Sequence, residues 1–118
     1  MIKIEDIKEK FEKAIIAVAS VDKTNKPHNI AIMYAKVIDN KIIITNNFMK
    51  KTIENIKKNP NISLVFWENE EGWRVDGKAE YHESGNWLEF VKKLKENEGL
   101  PARGAIVVNI EKINKLCS

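Results

Sequence analysis

Apolar side chains recur at Ile4, Ile7 and Phe11, with Glu and Lys residues between them. That spacing is the stripe of an amphipathic helix and predicts one over residues 3–13. From Ala14 the period changes. The run Ala14-Ile15-Ile16-Ala17-Val18-Ala19-Ser20-Val21 is small and β-branched, and reads as a buried strand. Asp22 to Pro27 is turn chemistry. His28 to Ile38 reads as a second strand, Asp39-Asn40 as a two-residue hairpin turn, and Lys41 to Thr45, with Ile42-Ile43-Ile44, as a third strand.

A polar segment, Asn46-Asn47-Phe48-Met49-Lys50-Lys51-Thr52, leads into a second helix. Ile53 and Ile56 face inward, Lys57-Lys58 lie at its end, and Asn59-Pro60 stops it. Ile62 to Trp67 is a strand and Glu68 to Gly72 a turn. Trp73, Val75, Gly77, Ala79 and Tyr81 alternate with Arg74, Asp76, Lys78 and Glu80, which marks a strand with one wet face. Ser84 is expected to cap a third helix with Trp87, Leu88, Val91 and Leu94 inward, ended by Gly99 and Pro101. Gly104 to Ile110 is the last strand. Hairpin-linked strands dominate, with too little strand–helix alternation for a doubly wound parallel sheet. The expected architecture is a single domain over residues 1–118, mainly β: a closed or nearly closed six-stranded barrel with helices outside.

Composition narrows the class. The chain has 118 residues, 43% hydrophobic and 31% charged, which is the make-up of a folded globular domain. No apolar run approaches the roughly 20 residues of a membrane helix. Met1-Ile2-Lys3-Ile4-Glu5-Asp6 does not read as a secretory signal, and the single cysteine, Cys117, cannot pair internally, so the cytoplasm is the expected compartment. One cysteine builds no zinc site; His28 follows a turn and His82 has no partner pattern, so neither is assigned a metal or catalytic role. Net charge is +3, and only Arg74 and Arg103 are arginines, which argues against nucleic acid as a partner. A single-strand-binding barrel ranks low because aromatic and basic residues do not alternate on one strand.

Candidate chemistry concentrates between Thr45 and Thr52. A helix N-terminus carries free N–H groups and partial positive charge, so acids belong there, yet Lys50 and Lys51 occupy it. A bound phosphate reverses that penalty and would draw on those N–H groups, both ammonium groups and the Thr52 hydroxyl, with Asn46 and Asn47 adding amides. The bland alternative is a pair of solvated lysines. In the second strand, the extended backbone of Asn29, Ile30, Ala31, Ile32 and Met33 can offer N–H and C=O groups to the edge of a flat ring, with small Ala31 allowing close approach. Its alternative is a plain barrel strand in which Met33 fills a gap. Phe66 and Trp67 are adjacent, so one ring must point outward, and an outward aromatic is a candidate subunit interface.

Three stretches, Ala17–Asp22 with Lys26–Ile30, Ala35–Asp39, and Asn46-Asn47-Phe48-Met49-Lys50-Lys51-Thr52-Ile53-Glu54-Asn55-Ile56, together with Val75–Tyr81, resemble the pyridoxamine 5′-phosphate oxidase-like family of FMN-binding split barrels. The resemblance implies a six-stranded split barrel, a homodimer, and FMN at the dimer interface. It implies a phosphate site at Lys51 and Thr52 with Lys50 and Asn47 nearby, and the isoalloxazine along Asn29 to Met33 and Thr45 to Asn46. Trp67 and Trp87 are the residues expected to form a further wall from the opposite subunit. The length suits the small flavoprotein members, and with Arg74 and Arg103 alone the arginine-rich substrate-phosphate site of the full oxidase has no match, which argues against pyridoxamine phosphate oxidation. The implied activity is redox chemistry through FMN with a small-molecule electron donor or acceptor; the alternative is a non-catalytic module that binds or stores a flavin or another phosphorylated ligand.

Overall fold

The computed structural model describes residues 1–116; Cys117 lies outside them. Helix α1 (Ile4–Lys13) is followed by β1 (Ile16–Val21), β2 (Pro27–Ile32), β3 (Lys36–Ile38), β4 (Lys41–Asn46), α2 (Lys51–Lys58), β5 (Asn61–Glu68), β6 (Glu71–His82), α3 (Asn86–Lys92) and β7 (Gly104–Leu116). A single 3₁₀ turn, Lys95–Asn97, links α3 toward β7. All strand pairs are antiparallel, in the order β2-β1-β5-β6-β7-β4-β3.

The sheet has seven strands rather than six, because the expected strand over 28–38 is two. The reason is a slip in phase. Ile30 and Ile32 turn toward the core at even positions, whereas Ala35 and Val37 do so at odd ones. A pleated strand alternates strictly, so one continuous strand cannot bury both sets. The link Met33–Ala35 absorbs the extra residue. The Asp39-Asn40 turn forms as expected, both residues at positive φ (50° and 61°) between Ile38 and Lys41.

Nor is the barrel closed. β2 and β3 are the two ends of the hydrogen-bonded order, with no ladder between them. Yet only three residues join them, and the chain from Ile32 to Lys36 can span at most roughly 14 Å. The sheet therefore curls until its two ends are neighbours and stops there, split. Helix α1 covers the β3 end: the Glu12 carboxylate accepts the Val37 N–H at 2.7 Å. Phe11 reaches in from α1 to meet Phe66 edge-on at 5.1 Å, and Phe66 stacks on Trp73 at 5.1 Å.

Two cores result. Ile42, Ile44, Ile106 and Val108 fill the barrel interior with Ile16, Val18, Leu64 and Val75. Ile43, Ala105 and Val107 point the other way, under Leu88 and Val91 of α3. The isoleucine run of β4 is thus explained by burial on both faces, each side chain contributing roughly 1.5–3 kcal/mol. β7 continues past Ile110 through a bulge that leaves Glu111 opposite the Asp76–Gly77 step. A side chain at Gly77 would lie 2.4 Å from the Asn109 carbonyl oxygen, so only glycine fits there. α3 begins at Asn86 after Gly85 at φ 90°, and Ser84 does not cap it. Gly85 takes a left-handed conformation that turns the chain into the helix at a residue without a side chain. Of its expected inner stripe, Leu88 and Val91 are buried, while Trp87 and Leu94 pack at the margin. No described helix is long and apolar enough to cross a membrane.

Candidate functional site

The end of β4 and the start of α2 bring Thr45 to Thr52 to one rim of the barrel. Asn46 is 3% exposed and fully engaged. Its amide donates to the Tyr81 hydroxyl at 2.7 Å, its side-chain oxygen accepts the Met49 N–H at 2.7 Å, and its backbone carbonyl accepts the Arg103 N–H at 2.8 Å. The hydroxyl end of Tyr81 packs against Gly104, where a Cβ would sit 2.2 Å from the hydroxyl oxygen. Asn47 accepts the Ala102 N–H at 2.9 Å and donates to Asn97 at 3.3 Å. Thr45 is buried and accepts from the Asn97 amide at 2.8 Å. These three side chains brace the loop, with their hydrogen bonds spent inside the protein.

The next residues are different. Lys50 is the N-cap of α2 and offers no side-chain cap, leaving the first-turn N–H groups without a side-chain partner. Lys50 and Lys51 are both exposed. Thr52 is 2% exposed and lies in the first turn beside the buried Ile53. Beside Lys51 a groove of about 410 Å³ runs between α2 and the β1–β2 turn, where four lysines, among them Lys51, Lys57 and Lys58, face Asp22 and Glu54. Asp22 organises that turn. Its carboxylate accepts the Thr24 hydroxyl at 2.7 Å and the N–H groups of Thr24 and Lys26 at 2.8 and 3.0 Å. Those bonds, with a smaller contribution from Lys51 at 4.0 Å, pull its pKa from 3.8 to about 2. Deeper in, the Asn55 amide donates to the Ser20 hydroxyl at 3.0 Å and pins α2 to β1.

The β2 residues divide by face. Asn29 and Ala31 are exposed, Ile30 is half-buried, Ile32 is buried, and Met33 in the link is 70% exposed. Because β2 ends the sheet order, one of its backbone edges has no strand partner. Ala31, Ala17 and Val65 align across β2, β1 and β5, with Ile15, Met33 and Trp67 at the end of this face. Trp67 is 56% exposed, so of the Phe66–Trp67 pair it is the tryptophan that points outward. Trp87 is elsewhere: it lies half-buried on α3, edge-on to Phe90 at 6.1 Å. One protomer thus does not bring Trp67 and Trp87 into one cluster.

The pieces fit FMN unevenly. The uncapped, doubly cationic start of α2 and its groove suit a phosphate, and the free edge of β2 suits a flat heterocycle. The hydroxyl and amides of Thr45, Asn46 and Asn47 are already committed to internal partners. Sequence reasoning gave no site role to Asn97, Tyr34 or Tyr81, and read Asp22 only as part of a turn. Asp22-Lys23-Thr24-Asn25-Lys26 carried a usable signal, an aspartate two residues before a threonine in a turn. Asn97 carried none, being one asparagine in the charged run Lys95-Glu96-Asn97-Glu98.

Comparison with known proteins places this architecture. An uncharacterized protein of Methanocaldococcus jannaschii is 29% identical over 120 residues, spanning 97% of this chain and 80% of its own length. HupZ of Group A Streptococcus superposes with a TM-score of 0.86 at 25% identity, covering 98% of this chain and 94% of its own. An FMN-binding protein from Syntrophomonas wolfei shares the fold at a TM-score of 0.77 and 17% identity, over 97% and 88% of the two chains. The heme storage protein HutZ from Vibrio cholerae does so at 0.74 and 16%, over 96% and 94%. Residues 4–117 match the family described as pyridoxamine 5′-phosphate oxidase, and the chain belongs to that family.

Proposed function

We propose that this protein is a homodimeric FMN-binding flavoprotein that carries out redox chemistry with a small-molecule electron donor or acceptor. The observation that carries the reading is the start of α2, where N–H groups without a side-chain cap meet two exposed lysines, Lys50 with no partner among the described ion pairs and Lys51 4.0 Å from the Asp22 carboxylate. Lys50 and Lys51 hold the phosphate with the first-turn N–H groups. The β2 edge from Asn29 to Met33 lies along the ring. When bound, FMN supplies hydride and single-electron transfer, and the protein's part is to hold and orient it. No general acid or base is assigned. The outward face of Ile15, Met33, Val65 and Trp67 supports pairing with a second copy, since apolar side chains there lack cover from their own chain.

The second reading is a binding or storage module without turnover, and the fold shared with a heme storage protein gives it a specific rival ligand. Purified protein titrated with FMN, and separately with heme, distinguishes them by absorbance between 350 and 500 nm. Saturable FMN binding at one site per chain, in a species eluting as a dimer, is the expected result. Saturable heme binding with FMN refused overturns the flavin reading. Binding of FMN without reoxidation by any acceptor after chemical reduction favours storage.

A further inference from the structure

Asn97, the partner of Thr45 and Asn47, is the most heavily bonded side chain of this rim. It is 3% exposed, in the turn between α3 and β7. Its amide nitrogen donates to the Thr45 hydroxyl at 2.8 Å and to the Val91 carbonyl at 2.7 Å. Its oxygen accepts the Tyr34 hydroxyl and the Asn47 amide, the latter at 3.3 Å. Two donors and two acceptor positions are therefore all in use, which is the full capacity of a carboxamide. The partners come from the link after β2, the end of β4, the loop into α2, and α3. The adjacent Glu96 carboxylate pairs with Lys36 at the start of β3, fixing the same turn from outside.

We propose that Asn97 is the positioning residue of the cofactor site. It ties the residue next to Met33 to the segment Thr45–Asn47, and so sets the separation between the two stretches that flank the ring and the phosphate. This rests on the flavin reading for its consequence but not for its geometry. A hydroxyl from each of two segments and an amide from the loop converge on one buried group, so removing it leaves several polar atoms without partners at once. The loop then loses its fixed distance from the β2–β3 link. A purely structural asparagine would lower stability without loosening this loop selectively.

The test uses Asn97→Ala and Asn97→Asp, with Tyr34→Phe as a milder variant should the first two fold poorly, and Val75→Ala on β6 as a core control. Amide exchange is followed at Ala102 and Met49, whose N–H groups bond Asn47 and Asn46. Asn97→Ala is expected to speed exchange there selectively, to weaken FMN binding roughly tenfold, and to shift the visible flavin band. Asn97→Asp behaves likewise, because its second oxygen faces the Val91 carbonyl, and Tyr34→Phe moves in the same direction by less. Val75→Ala speeds exchange only through global unfolding and leaves the flavin band in place. The proposal is overturned if the Asn97 variants match Val75→Ala in exchange pattern, or if FMN affinity and the band are unchanged despite a loosened loop. Wild-type protein that refuses FMN removes the flavin reading alone; the exchange pattern still decides whether Asn97 holds the loop.

Discussion

Thr45–Asn47 and Lys50–Lys51 sit a few residues apart on the same rim, and they treat their polar groups in opposite ways. The first group is buried or half-buried and satisfied: every side chain has an internal partner between 2.7 and 3.3 Å. The second is exposed and, at Lys50, has no partner among the described bonds and ion pairs. Buried polar groups stabilise a fold only when satisfied. Cations at a helix N-terminus, by contrast, cost stability unless something anionic meets them. The contrast separates architecture from ligand capacity within one short stretch of chain. The Thr45 hydroxyl and the Asn46 and Asn47 amides, expected as ligand contacts, have internal partners here.

The comparison breaks most visibly at Asn46. Asn46→Ala strands the Met49 N–H and the Tyr81 hydroxyl, and is expected to lower unfolding free energy by about 2–3 kcal/mol. Urea denaturation checks this; a loss below about 0.5 kcal/mol would show that water replaces those bonds and that the loop is not braced from within. The opposite outcome is expected from Lys50→Ala combined with Lys51→Ala. Stability should stay within about 0.5 kcal/mol of wild type, because both side chains are solvated. FMN binding should weaken by about 1–3 kcal/mol, because charge-assisted bonds to the phosphate are lost. Thr52 is left in place, since replacing a buried threonine would mix packing with binding. An unchanged dissociation constant by fluorescence titration removes the phosphate from this helix.

Much of this was legible beforehand. The α1 stripe, the Asp39-Asn40 hairpin, the stop at Asn59-Pro60 and the alternation of β6 follow from short-range rules, and each formed within a residue or two of its expected place. The phase slip between Ile32 and Ala35 was also written in the chain. It went unread because a continuous apolar stretch hides a change from even to odd. Ile110 and Ile113, separated by Glu111 and Lys112, make a second even-to-odd change, and both reach the main core on either side of the bulge. What could not be read is contact at long range. Asn46 meets Tyr81 across 35 positions and Asn97 meets Thr45 across 52, and no local pattern announces either. The doubly cationic helix start was found because it violates a local rule, and such violations are where sites are expected.

Asp22 offers the smallest effect and the finest probe, because it faces both regimes: its Oδ1 accepts the three bonds of the β1–β2 turn while its Oδ2 lies 4.0 Å from the Lys51 ammonium. Its folded pKa of about 2 lies below the ordinary 3.8. The folded state therefore holds the ionised form, and the stability this gives is complete above pH 3.8 and is lost as the pH falls through about 2. Asp22→Asn keeps an oxygen for the Thr24 and Lys26 N–H groups and removes the charge. The difference in thermal midpoint between wild type and variant is expected to shrink across that acid window and vanish below it. A constant difference would mean that shape, not ionisation, sets the contribution of the turn. The same variant removes the anion nearest the Lys51 head group, so FMN binding should tighten slightly at neutral pH. If binding weakens instead, Asp22 is holding Lys51 in place for the phosphate, and the line between braced and free groups falls at Lys50.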